Sequence, residues 1–119
     1  MEQEDLRKKV DLAFLSAFYG NMLTEKQRRI LSLHCEEDLS LAEIAEEMGI
    51  SRQAVHEALT RASARMMEME SSLGLAARYR RMEEGLQQAL SLLRAQHIDQ
   101  AEQTLEALLA WDQEDEHGL

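Results

Sequence analysis

Apolar and polar residues alternate with a helical period along almost the whole chain, most regularly between Leu39 and Met66. Leu41, Ile44, Ala45 and Met48 fall at i, i+3, i+4 and i+7, a single apolar stripe on a short helix. Ser40 stands three residues before Glu43, the spacing of a reciprocal capping box. Gly49 follows the stripe at once, where a left-handed residue ends a helix without a Cβ penalty. Ile50 plugs the corner, and Ser51 caps a second helix whose inward face is Val55, Leu59, Ala62, Met66 and Met69. Period, cap, glycine and plug together predict a helix-turn-helix, an arrangement that DNA readers use to fill a major groove.

The same reading extends to both sides. A first helix is predicted from about Gln3 to Tyr19, with Leu6, Val10, Ala13, Phe14, Ala17 and Phe18 on one stripe and Leu12, Leu15 and Tyr19 on the next. So wide an apolar arc fits a central core helix, or a helix that also meets a second copy of the chain. Gly20-Asn21 closes it. Thr24 and Gln27 have capping-box spacing at the head of the next helix, whose inward residues are Ile30, Leu31, Leu33 and Cys35. Beyond Ser51 the second helix of the unit runs to about Ser72, its stripe continuing to Leu73, and Gly74 ends it. A further helix from Leu75 to about Gln96 carries the stripe Leu75, Tyr79, Met82, Leu86, Ala89 and Leu93, interrupted by Gly85. Asp99 with Glu102 caps a last helix that turns Ala101, Leu105, Leu108 and Leu109 inward, with Trp111 clamping its end. The expected organisation is a helix-turn-helix bundle over 1–73, a helical hairpin over 74–112 packing on it, and a frayed acidic tail over 113–119.

Composition agrees with an all-α protein: no proline, five glycines and 45% hydrophobic residues in 119. No apolar run approaches the roughly 20 residues that cross a bilayer, and the charged start MEQEDLRKKVDL lacks the apolar core of a secretory signal. A single cysteine makes no internal disulfide, which fits the cytoplasm. Charge changes the picture more. Thirteen Lys and Arg against 23 Asp and Glu leave a net of −10. Residues 1–70 alone hold nine basic and fourteen acidic residues, hence −5. The helix-turn-helix is therefore no basic island, although neutralising phosphates supplies most of the affinity of a DNA-binding module.

No phosphate loop, nucleophile motif or metal-ligand cluster is present, so neither enzyme activity nor a metal or cofactor is expected. His34 and Cys35 are adjacent and point to different faces. The informative residues are on the outer side of the second helix: Ser51, Arg52, Gln53, His56 and Glu57 near its start, where a reader meets base edges. Arg52 suits guanine and Gln53 suits adenine, each through two hydrogen bonds. Arg61 and Arg65 stand where phosphates would pass, yet Glu57–Arg61 and Arg65–Glu68 also have the spacing of ion pairs within one helix. Glu57 would face a negatively charged groove. Lys26, Arg28 and Arg29 form a secondary basic cluster, as do Arg7-Lys8-Lys9 and Arg78, Arg80, Arg81.

The segment MLTEKQRRILSLHCEEDLSLAEIAEEMGISRQAVHEALTRASARM, Met22 to Met66, resembles region four of bacterial sigma factors. Phe18-Tyr19-Gly20, Leu23-Thr24-Glu25-Lys26-Gln27, Asp38-Leu39-Ser40-Leu41, Glu43-Ile44-Ala45-Glu46-Glu47 and Ser51-Arg52-Gln53-Ala54-Val55 are more closely similar to the YlxM family of helix-turn-helix proteins, over about Leu6 to Leu75. After Leu75 the likeness is only in being helical. The resemblance implies an all-α bacterial cytoplasmic protein linked to the signal recognition particle, accompanying its GTPase, its RNA or both, with no catalytic residues. A sigma-like protein would instead contact a promoter, but the continuation of its recognition helix is typically basic. Here it reads ALTRASARMMEME, two arginines against two glutamates. A sequence-specific DNA-binding regulator using Arg52, Gln53 and His56 is the second expectation, and a purely structural oligomer the third.

Overall fold

The computed structural model describes the backbone of residues 2–117 and the side chains of residues 8–114. The side chains of Leu6 and Arg7, and those of the tail from 115 onward, lie outside the described residues. Among those described, every regular element is helical: α1 (Glu2–Tyr19), a 3₁₀ turn (Gly20–Met22), α2 (Glu25–Cys35), α3 (Leu41–Met48), α4 (Arg52–Leu73), α5 (Leu75–Arg94) and α6 (Ile98–His117). The chain forms two compact units, residues 1–76 and 77–119, so the boundary falls inside the first turn of α5. No described helix is long and apolar enough to cross a membrane.

The first unit is built around α4. On one side Val55 packs with Ile30 and Leu33 of α2 and Ile44 and Ala45 of α3, with Leu39, Leu41, Met48 and Ile50 half-buried against them. On the other side Ala62 and Met66 pack with Tyr19, Leu23 and Leu31, and Leu12, Leu15 and Phe18 of α1 cover that cluster. The residues expected to face inward on α3 and α4 do so as far as Met69. Leu73 is the exception, more than half exposed. On α1 the structure covers the second apolar stripe together with Phe18 of the first. Leu12, Leu15, Phe18 and Tyr19 carry the core, while Val10, Ala13 and Ala17 are left exposed. Both stripes are apolar, and the position of α4 decides which part of the arc is covered.

Local signals hold the helix ends. Both capping boxes form: Gln27 N–H donates to Thr24 Oγ1 and Thr24 N–H to Gln27 Oε1 (3.1 Å each), with Ser40 and Glu43 reciprocating in the same way. Those Ser40 donors hold the Glu43 carboxyl below its usual range. The connection into α3 is pinned by Asp38, which takes a left-handed backbone (φ 54°) and accepts a hydrogen bond from Lys9 of α1. At the far end of α4, Gly74 (φ 64°) turns the chain into α5.

The second unit is a helical hairpin. Gln96 takes the left-handed conformation (φ 65°), and the N–H of His97 reaches the Leu92 carbonyl (2.8 Å), closing α5 in a Schellman-type turn without glycine. Because that turn is tight, α6 starts at Ile98, and Asp99 sits in its first turn instead of capping it. The helix continues to His117, so the expected frayed tail begins inside it. The hairpin seam differs from the predicted one. Met82, Gly85, Ala89 and Leu92 of α5 and Ala101, Leu105 and Leu108 of α6 are covered, while Tyr79, Leu86, Leu93 and Leu109, expected inside, are exposed. Gly85 explains the shift. A Cβ there would stand 2.8 Å from Leu108 Cδ1, so the glycine receives the leucine and sets the seam. At the open end Arg78 pairs with Asp112, and the Arg81 guanidinium lies over Trp111, 4.5 Å from the ring centroid.

Candidate nucleic-acid interface

The α3–α4 corner has the geometry of a helix-turn-helix. Gly49 is left-handed (φ 68°), its N–H closing on the Ala45 and Glu46 carbonyls, and Ile50 is half-buried in the core beneath. Ser51 Oγ accepts from Ala54 N–H at 3.0 Å, satisfying one of the free amides at the head of α4. Ser51 is thereby engaged as a cap, and its hydroxyl is not simply available to a ligand.

Arg52, Gln53, His56, Glu57, Arg61 and Arg65 are all exposed. At about 100° per residue they do not share one face. Gln53, Glu57, Thr60 and Ala64 form the outward ridge, opposite the buried Val55, Ala62 and Met66. Arg52 and His56 lie on one flank of that ridge and Arg61 and Arg65 on the other. Among the described residues neither Glu57–Arg61 nor Arg65–Glu68 closes to ion-pair distance. A carboxylate, Glu57, therefore occupies the centre of the surface that would enter a groove, with cations only to its sides.

The secondary basic residues Lys26, Arg28 and Arg29 stand on α2. Arg29 Nη2 reaches Glu47 Oε1 of α3 (3.7 Å), a pair between helices that no spacing rule reveals from sequence. Arg28 lines a groove of about 320 Å³ between α1 and α2, beside Ala13, Ala17 and Cys35. Lys26 is exposed in the first turn of α2. Lys9, Arg29 and Arg78 thus each have an intramolecular carboxylate partner. The segment 39–66 itself holds three arginines and four glutamates, a net of −1. Met67, set off the core stripe, is 60% exposed.

These features define a class, an all-α helix-turn-helix protein with a mixed-charge recognition helix. The chain belongs to the UPF0122 family, described as "Putative helix-turn-helix protein, YlxM / p13 like", whose model matches residues 6–108. The match runs through most of the C-terminal hairpin, well past the Leu75 limit of the residue-level likeness, so the hairpin is part of what defines the family. Relatives include UPF0122 proteins of Halalkalibacterium halodurans (45% identical, covering 70% of this chain and 76% of the relative) and Symbiobacterium thermophilum (40%, covering 83% and 92%). That of Desulforamulus reducens is 38% identical over 77% of this chain and 79% of its own.

Proposed function

We infer that this protein is a non-enzymatic, cytoplasmic accessory factor of the signal recognition particle, contacting the particle's RNA, its GTPase or both. One observation carries the reading: the shape is that of a groove reader, yet Glu57 stands at the centre of the α4 ridge, with arginines only on its flanks and a net charge of −1 over residues 39–66. A long, regular polyanion repels that surface, and promoter affinity draws most of its strength from phosphate neutralisation. An irregular RNA or a protein surface with cations of its own meets mixed charge at far smaller cost. The likeness of residues 6–75 to the YlxM family supports the same direction. Arg52, Gln53, His56, Arg61 and Arg65 are the contact residues, Ser51 serving as the cap that positions them, and Arg52 and His56 on one flank can engage a partner without bringing Glu57 into contact.

Pull-down from bacterial extract, with RNase and DNase applied separately, tests this. The particle's GTPase or RNA should co-purify, survive DNase, and be weakened by Arg52→Ala. Recovery of duplex DNA with a steep loss of binding between 50 and 200 mM salt would favour the second reading. That reading, a sequence-specific DNA regulator, rests on Arg52 and Gln53 standing at the head of α4, where base edges are read.

A further inference from the structure

The hairpin of the second unit leaves a large apolar surface uncovered. Tyr79, Leu86, Leu90 and Leu93 of α5 and Ile98 and Leu109 of α6 are each 45–63% exposed. Their placement is regular. On α5 these residues lie about a quarter turn from the seam formed by Gly85, Ala89 and Leu92, in the direction of increasing residue angle. On α6 Ile98 and Leu109 lie about a quarter turn from Ala101 and Leu108, in the same sense. Because the two helices run antiparallel, equal rotations of the same sense bring both stripes to one side of the hairpin. The result is one two-helix face exposing roughly 500 Å² of apolar side chain, at the upper end of what a soluble monomer exposes, with Glu102 in line between Ile98 and Leu109.

We propose that this face is the contact between two copies of the chain, which close into an antiparallel four-helix bundle with both α5–α6 turns at the same end. The occupant follows from area and charge. A two-helix layer is half of a four-helix bundle, and a second identical layer matches its length without a new partner. With its polar rim the face approaches the ~800 Å² per partner of a stable interface. The rims are unlike: the α5 rim is mixed, with Glu83 and Arg94 beside the stripe and Arg80 further round, whereas Asp99, Glu102 and Glu106 make the α6 side acidic. A two-fold axis across the helices would set α6 against α6 and oppose two acidic rims. A two-fold axis along the helices sets α5 against the partner copy's α6. That arrangement brings Arg94, near the turn, level with Asp99 and Glu102 of the other copy, cation against anions.

Sedimentation of the full chain between 1 and 100 µM tests the arrangement. The wild type should run at twice the 13.6 kDa chain mass. Leu86→Glu with Leu90→Glu, both at exposed helical positions, should run as a monomer with its helical circular dichroism kept. Arg94→Glu alone should raise the dissociation constant tenfold or more, and adding Glu102→Arg should restore it. A wild type that is monomeric at 100 µM, or a Leu86→Glu/Leu90→Glu variant that stays dimeric, overturns the interface. If that variant loses helicity, the charge pair decides alone. Failure of Glu102→Arg to rescue Arg94→Glu overturns the α5-on-α6 arrangement.

Discussion

The Tyr19 hydroxyl at the end of α1 donates to Glu70 Oε1 at 2.5 Å and accepts from the Leu75 N–H at 3.1 Å. Glu70 Oε1 also accepts from Ala76 N–H at 3.0 Å, so two of the free amides that open α5 are satisfied by side chains from α1 and α4. Tyr19 is fully buried, and burial, followed by the hydrogen bond to Glu70, raises its hydroxyl above the ordinary phenol range. It remains a donor at any physiological pH. The Gly74 turn is thereby locked to the core of the first unit.

Tyr19→Phe keeps the ring and removes only the hydroxyl, leaving the Leu75 amide unsatisfied and Glu70 with one donor fewer. The expected cost is about 1–3 kcal/mol. Urea denaturation followed by circular dichroism should show the midpoint fall with an unchanged slope. Glu70→Gln should cost less, because the amide oxygen still accepts from the Ala76 N–H.

Features that depend on residues within one helical turn were legible in the sequence: the caps at Thr24, Ser40 and Ser51, the stops at Gly49 and Gly74, and the inward stripe of α4 to Met69. Choices between two apolar faces were not. On α1 and α5 adjacent stripes are both apolar, so periodicity marks a wide arc and only the neighbouring helix selects which part is covered. The Gly85–Leu108 contact made that selection in the hairpin. The start of α6 was misplaced because Gln96, not a glycine, takes the left-handed position. Tyr19–Glu70 and Arg29–Glu47 join residues far apart in sequence, and only the packing of helices brings them together. For the candidate interface, the sequence identified the exposed residues of α4, but the flanking positions of its cations around Glu57 emerged from the burial of the opposite face.

Glu57→Gln removes the charge at the centre of the α4 ridge without touching a described ion pair. Stability should change by less than about 0.5 kcal/mol, as for an ordinary surface substitution. Non-specific duplex DNA affinity should rise several-fold at 50 mM salt, with the gain fading at 200 mM. Fluorescence anisotropy with a labelled duplex measures this. Equal affinity for both proteins at low salt would remove Glu57 as the element that excludes DNA.

Gly85→Ala places a Cβ against the mobile end of the Leu108 side chain, which can turn aside, while the helix gains up to about 1 kcal/mol in propensity. The two effects nearly cancel, and the melting temperature should move little. Gly85→Leu has no such escape, since a whole side chain must enter the seam against Leu108. A loss of about 1–3 kcal/mol is expected. Trp111, in the same hairpin, reports it by fluorescence.

His34 gives the fold a dependence on mild acid. Its Nδ1 is buried without a protein partner. Burial, and then the charge of Lys9, lower its pKa from 6.5, only partly offset by the Leu39 backbone and Asp38. In the unfolded chain the imidazole takes up its proton near 6.5, whereas the folded protein binds it only at lower pH. The unfolded state therefore holds more protons in that interval, and stability falls as pH drops from 6.5 toward the folded value. The carboxylates Asp38 and Glu43 act separately and lower down. Their folded pKa values lie below 3.8 and 4.5, so their contribution is lost only in stronger acid. His34→Gln should abolish the decline below pH 6.5 that is due to this residue and leave the loss below pH 4.5 in place. Melting temperatures of both proteins, measured every half pH unit, should converge in slope above pH 7 and diverge below 6.5, with the wild type falling faster.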